Sequence, residues 1–153
     1  MSATAFGVVV SIYLWPRIRR LEQDTALRAL IVPHIFRFIG LSFLVPGVVS
    51  PALPAGFAAP AAYGDIGSAL LALASTIALS GHASGAIPLV WIFNIWGTAD
   101  FLLAFYNGGR INLDPGTLGA AFYIPTAIVP PLLILHGLIF SLLIRPNQRG
   151  TQT

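Results

Sequence analysis

The sequence predicts an all-α protein that crosses a membrane several times. Of its 153 residues, 56% are hydrophobic and only 8% are charged, whereas a soluble domain has about 25% charged residues. The mean hydropathy is +0.83. The apolar residues form long runs that suit helices of about 20 residues, rather than the alternating pattern of a transmembrane β-barrel. We therefore expect a transmembrane helix bundle in a single domain over residues 1–153, with a flexible cytoplasmic tail at 146–153.

The arginines predict how the chain is oriented. The chain has no lysine, so its net charge of +3 comes from arginine. Basic residues accumulate on the cytoplasmic side of membrane proteins. Six arginines lie in two polar stretches and only Arg110 lies in a predicted outer loop; the six are Arg17, Arg19, Arg20, Arg28, Arg145 and Arg149. We expect five helices in a bacterial-type inner membrane, with the N-terminus outside and the C-terminus inside.

The first predicted helix, residues 3–15, is shorter than the 17–25 residues that a full crossing usually needs. An interfacial first helix followed by four full crossings is the alternative. The other predicted helices cover residues 29–48, 61–80, 86–106 and 117–144, and several prolines interrupt the last one. The third helix carries a stripe of small residues at helical spacing, which favours close packing by another helix: Ser68, Ala72, Ser75 and Thr76.

The fourth predicted helix is the element around which the others are expected to pack. It carries Asn94 and Asp100 inside an apolar run. A carboxylate that faces hydrocarbon costs roughly 2.5–3.5 kcal/mol on insertion scales, so both side chains are expected to face other helices. They lie about 120° apart on an α-helix, with Gly97 midway between them. We predict that this arc faces a polar cavity.

Other ionisable residues also lie inside apolar runs, among them Arg37, Asp65 and His136. Such residues more often have a functional role than not. Two simpler interpretations stay open. Arg37 could extend back to the cytoplasmic headgroups, and Asp65 could cap the N-terminus of the third helix.

The predicted depths of these groups suggest three arrangements. Asp65 and Asp100 could lie close together and share a proton, which suits a proton-coupled carrier or an acid–base enzyme. His34 and His136 could be the axial ligands of a b-type haem, although two histidines are a weak signal. Alternatively, Arg37, Asn94, Asp100 and His136 could form a structural network. Tyr63, Trp96 and Tyr123 are candidate cavity walls.

The sequence also limits the classes of function. It contains no cysteine, which excludes thiol chemistry and cysteine metal ligands, and no motif indicates a metal site or nucleic-acid binding. The expected partners are the lipid bilayer and a small lipophilic ligand, with a homo-oligomer or a larger membrane complex as further possibilities. We predict a ligand-binding cavity, with a membrane enzyme or a structural subunit as alternatives.

Four segments carry a family resemblance: PHIFRFIGLSFLVPGVVSPALP, PAAYGDIGSALLALAS, VWIFNIWGTADFLLAFY and LGAAFYIPTAIVPPLLILHGLIF. Together they resemble a family of small bacterial multi-pass membrane proteins for which no activity is known. The signature elements are Arg37, Gly64-Asp65, Asn94 with Asp100, Pro125 and His136. The overall plan is distantly similar to DoxX-like membrane proteins, and Asn94 with Trp96 resembles positions of sterol-isomerase-like enzymes. The resemblance implies a membrane fold and no particular mechanism.

Overall fold

A computed structural model describes residues 2–145 of the chain, and these residues are almost entirely helical. Four helices are long and apolar enough to cross a membrane, and one is shorter. They are α1 (Ser2–Ile18), α2 (Gln23–Leu44), α3 (Ala55–Ser80), α4 (Ala86–Arg110) and α5 (Ile124–Leu143). The prediction of an all-α transmembrane bundle with a short first helix is therefore confirmed. Its orientation in the membrane remains a prediction, and the expected tail at 146–153 lies outside the described residues.

Helix α3 begins six residues earlier than the sequence predicted. Pro54 precedes its first residue and Pro60 lies inside it, so the proline-rich stretch belongs to the beginning of the helix rather than to a loop. Asp65 consequently lies in the helix interior, and the interpretation of Asp65 as an N-terminal cap is wrong. The small-residue stripe is buried as predicted, because Ser68, Ala72 and Ser75 have no exposed surface.

Helix α2 changes its winding halfway along. Residues Val32–Leu44 form a 3₁₀-helix of 13 residues, whereas such helices seldom exceed 3–4 residues. With three residues per turn, side chains three positions apart lie directly above one another. The buried residues of this segment are spaced in that way: His34, Arg37, Gly40 and Phe43. The 3₁₀ winding thus aligns a histidine, an arginine and a glycine on one inward face.

The last predicted helix is two elements. A 3₁₀ segment, Pro115–Phe122, contains Gly119 with a φ of 53°, and α5 begins at Ile124. The break is fixed by the loop between α2 and α3, because the Ala120 N–H donates to the Val48 carbonyl and the Ser50 N–H donates to the Thr117 carbonyl. A Cβ at Gly119 would overlap the Val48 carbonyl oxygen. We call this end of the bundle, where α2 ends, α3 begins and α4 ends, the loop-50 end.

The outer surface of the bundle is apolar. Large hydrophobic side chains on the long helices are more than half exposed, including Phe36, Leu70, Ile77, Ile92 and Leu102. Five ionisable or amide side chains well inside the same helices are buried: His34, Arg37, Asp65, Asn94 and His136. Apolar residues outside and polar residues inside suit a protein surrounded by lipid.

Candidate functional site

Arg37 joins the two membrane-embedded aspartates. Its Nε donates to Asp65 Oδ1 at 2.7 Å, and its Nη2 donates to Asp100 Oδ2 at 2.5 Å. Its Nη1 donates to the Gly97 carbonyl oxygen at 3.2 Å. Arg37 is 2% exposed, so the interpretation in which it extends to the headgroups is wrong. We call Arg37, Asp65 and Asp100 the ion triad.

The guanidinium of Arg37 also lies over an aromatic face. Its Cζ is 3.7 Å from the centroid of the Phe101 ring. A cation in this position is attracted by the electrons of the ring face. The arginine thus contacts Asp65 on α3, Asp100 on α4 and the face of the Phe101 ring. These contacts fix the orientation of the guanidinium, and therefore of both carboxylates.

Three glycines make room for the ion triad. A Cβ at Gly40 would overlap the carboxylate of Asp65, and a Cβ at Gly64 would overlap that of Asp100. A Cβ at Gly97 would lie 2.9 Å from Arg37 Nη1. Each of the three long helices α2, α3 and α4 therefore contributes a glycine at a point where a charged group of a neighbouring helix approaches its backbone.

The prediction that Gly97 lies on the inward-facing arc between Asn94 and Asp100 agrees with this geometry, but the roles of Gly40 and Gly64 were missed. Gly64 directly precedes Asp65 and was named only as part of the family signature. The sequence signal that could have revealed them is a glycine within one helical turn of a charged residue in an apolar run, which indicates a place where a charged group can approach the backbone.

A second polar cluster lies beside the ion triad. Asn94 Nδ2 donates to the His136 carbonyl oxygen at 3.2 Å, so Asn94 Oδ1 is free to accept from His136 Nδ1, 2.6 Å away. A neutral imidazole has one donor and one acceptor nitrogen, which leaves His136 Nε2 as the acceptor. This atom is buried and has no hydrogen-bond partner within residues 2–145. It faces Gly97, since a Cβ there would lie 2.8 Å from it.

His34 contacts His136 directly. The two ring centroids are 4.2 Å apart, and neither nitrogen of His34 has a hydrogen-bond partner in the described part of the chain. Phe93 packs against both rings. An iron with two axial histidines needs the macrocycle between the rings, and rings in contact leave no room for one. The geometry of these two histidines therefore does not fit a b-type haem.

A pocket of about 60 Å³ ends at the ion triad. Its polar lining residues are Asp65 and Asp100, and the side chain of Asp100 is 14% exposed. The remaining lining is apolar and includes four phenylalanines: Phe43, Phe57, Phe101 and Phe105. Arg37, Asn94 and His136 do not line it. The expected cavity is therefore divided into a pocket with two carboxylates and a buried polar cluster behind it.

A wider hollow of about 300 Å³ adjoins the pocket at the loop-50 end. We call it the vestibule. The pocket and the vestibule share four lining residues, Phe57, Ala104, Phe105 and Pro125. The vestibule is therefore a neighbour of the pocket, and the loop after α4 forms the far wall of the vestibule through Asn112 and Leu113.

The aromatic residues expected as cavity walls lie elsewhere. Tyr63, Trp96 and Tyr123 are 63%, 51% and 68% exposed, and none of them lines the pocket or the vestibule. Each ring is on the outward side of its helix, where an aromatic side chain contacts lipid at little cost. The pocket walls are phenylalanines, which in the sequence cannot be distinguished from lipid-facing apolar residues.

The fold and the site define the class of this protein: a small α-helical membrane protein with charged groups buried between its helices. The chain belongs to a family described as "Domain of unknown function (DUF8737)", whose model matches residues 1–144. The comparisons with curated proteins and with solved structures give no match. The expectation of an uncharacterised family is thus confirmed, while the distant likeness to DoxX-like proteins and a bacterial origin stay predictions.

Proposed function

We propose that this membrane protein binds a small lipophilic ligand in the pocket that ends at the ion triad, and that the binding is coupled to a proton. The observation that carries the proposal is the position of Asp100. Its carboxylate is bound to a buried arginine on one side and reaches an apolar pocket on the other. Small-molecule sites are typically apolar hollows with a few placed polar groups.

The charge of the ion triad supports the coupling to a proton. The sequence-based argument assumed two carboxylates without a cation, but Arg37 lies between them. With both aspartates ionised, the triad carries one net negative charge. An uncompensated charge is costly where water is scarce. One proton, or one cation, neutralises the triad.

A purely structural role explains less of the geometry. Arg37, Asn94 and His136 are buried and hydrogen-bonded, as a structural network requires. A structural network does not need a carboxylate that reaches an apolar pocket beside a wider vestibule. The alternatives of a membrane enzyme and of a subunit in a larger complex gain no further observation from residues 2–145.

The orientation of the chain belongs to the same proposal. The arginine distribution favours an orientation with the loop-50 end outside, and we take the membrane to be a bacterial-type inner membrane. The vestibule then opens toward the outer side, and the ligand enters from there. Transport across the membrane could follow binding, because buried protonatable groups are typical of the proton pathways of transporters.

The pocket can be blocked by a substitution at its entrance. Ala104 lines both the pocket and the vestibule, so the ring of Ala104→Phe takes up space that a ligand would occupy. Ala99 lies five residues earlier on α4 and is exposed, so Ala99→Phe adds the same ring on the outside. Native mass spectrometry of protein extracted with its lipids is expected to show a bound non-lipid molecule in the wild type and in Ala99→Phe, and none in Ala104→Phe. Equal spectra for the two variants would refute binding in this pocket.

A further inference from the structure

We infer that the ligand carries a positively charged ammonium group, which binds Asp100 inside the pocket, and a short apolar tail, which extends into the vestibule. This inference rests on the proposed function and adds the chemical class of the ligand. It follows from the charge, the aromatic walls and the size of the pocket.

The polar lining of the pocket consists of acceptors. An ionised carboxylate accepts hydrogen bonds and donates none. Each of the three guanidinium nitrogens of Arg37 donates to one acceptor, namely Asp65, the Gly97 carbonyl or Asp100, and Arg37 does not line the pocket. An anionic ligand would meet the carboxylate of Asp100 without a facing cation and would be repelled. A ligand with a positively charged donor group neutralises the net negative charge of the triad.

The aromatic walls favour the same group. Four of the eleven lining residues are phenylalanines, and Phe43 packs edge-to-face on Phe57 with the ring centroids 6.0 Å apart. Aromatic rings around a hollow attract organic ammonium ions through their electron-rich faces. Phe101 already holds the guanidinium of Arg37 in this way, which shows that this part of the bundle accommodates a cation on a ring face.

The volumes limit the shape of the ligand. A buried water needs about 10–15 Å³ of such cavity volume, so the pocket of about 60 Å³ has room for an ammonium group with a few carbon atoms. The vestibule of about 300 Å³ has room for a longer apolar part. A primary alkylamine of about four to six carbons, bound with its nitrogen innermost, fits both spaces.

The positive charge that such an amine brings into the site is balanced by the release of a proton. If a carboxyl of the ion triad is protonated in the free protein, the incoming ammonium replaces that proton, which leaves for the solvent. No covalent bond of the amine is formed or broken. The charge of the site stays the same in both states, which permits exchange of an amine for a proton without a buried net charge.

The test compares probes of equal length and different charge. The probes are n-butylammonium, n-butanol and butyrate, added to the full-length protein in lipid nanodiscs while its thermal unfolding is followed. We expect saturable stabilisation by n-butylammonium, and at least tenfold weaker apparent affinity for n-butanol and for butyrate. Equal effects of the amine and the alcohol would overturn the inference.

Two variants assign the effect to the pocket. Asp100→Asn is expected to weaken the amine effect at least tenfold, whereas Asp114→Asn, at an exposed loop carboxylate that accepts from the Gly116 N–H, leaves it unchanged. Phe57→Leu keeps both carboxylates and removes one ring. It is expected to weaken the amine several-fold, which keeps the test decisive if Asp100→Asn does not fold. Undiminished amine binding in Phe57→Leu and in Asp100→Asn would overturn the inference.

The result also separates this inference from the proposed function. A native ligand that is lost in Ala104→Phe, together with an absent amine effect in the wild type, leaves the pocket as a binding site and rejects only the ammonium group. An amine effect that persists in Ala104→Phe rejects the pocket as the site of the amine.

Discussion

Replacing Arg37 by leucine is the perturbation that the structure makes most informative. The change removes hydrogen bonds of 2.7 Å, 2.5 Å and 3.2 Å to Asp65, Asp100 and the Gly97 carbonyl, and it leaves two carboxylates facing each other. Removing one partner of a buried ion pair typically costs about 3–5 kcal/mol. For a chain of this length, we expect Arg37→Leu to lower the melting temperature by roughly 6–20 °C.

The assay is thermal unfolding in detergent, followed by tryptophan fluorescence, with two comparisons. Arg20→Leu removes an exposed arginine and is expected to change the melting temperature by no more than about 2 °C. Adding Asp65→Asn and Asp100→Asn to Arg37→Leu removes the unpaired charges and is expected to restore most of the lost stability. An Arg37→Leu variant as stable as the wild type, or a triple variant less stable than the single one, would refute the ion triad.

Three further predictions test the surroundings of the triad. Gly97→Ala places a methyl group 2.9 Å from Arg37 Nη1 and is expected to cost about 1–3 kcal/mol in unfolding free energy, whereas Gly137→Ala, with nothing within 4 Å, is neutral; equal effects of the two would contradict the packing. His34→Leu removes two nitrogens that have no hydrogen-bond partner among the described residues and is expected to be neutral or stabilising. Asn94→Leu leaves a buried imidazole N–H unpaired and is expected to cost about 1–3 kcal/mol in unfolding free energy, and thermal unfolding of both variants decides this order. Alkaline phosphatase fused after residue 153 is expected to be inactive, because the arginines place the C-terminus in the cytoplasm; an active fusion reverses the orientation.

The sequence predicted which polar residues turn inward. Asn94 and Asp100 interrupt an apolar run. Because exposing either side chain to lipid is costly, both are expected on the side of the helix that faces the other helices. The same argument applied to Arg37 and Asp65, although it did not show that these two pair with each other. Helix direction and rise give depth to about one turn, which is too coarse to choose among partners on neighbouring helices.

The winding of α2 was the main feature that the sequence did not reveal. At 100° per residue, His34 and Arg37 lie 60° apart, and the residues that follow turn further away. In the 3₁₀ segment they share one face with Gly40. Local propensity does not favour such a long 3₁₀-helix. Tertiary contacts must therefore stabilise it, and the ion pairs of Arg37 with α3 and α4 are contacts of this kind.

The pocket itself could not be predicted, because its walls are ordinary apolar residues. A phenylalanine that lines a hollow and one that faces lipid give the same hydropathy signal. Tyr63, Trp96 and Tyr123 were predicted as walls, and the structure leaves all three more than half exposed on the outside of the bundle. Only the packing of α2, α3, α4 and α5 determines that Phe43 and Phe57 enclose the space before Asp100.

The most direct measurement of the central claim is the infrared carboxylate signal of Asp100. The spectrum of protein extracted with its native lipids is compared with the spectrum after exhaustive exchange into fresh lipid, which removes a bound ligand. The account predicts a difference band in the carboxyl region that is absent in Asp100→Asn and retained in Asp114→Asn. Identical spectra before and after the exchange, or a band that persists in Asp100→Asn, would contradict a ligand bound at the ion triad.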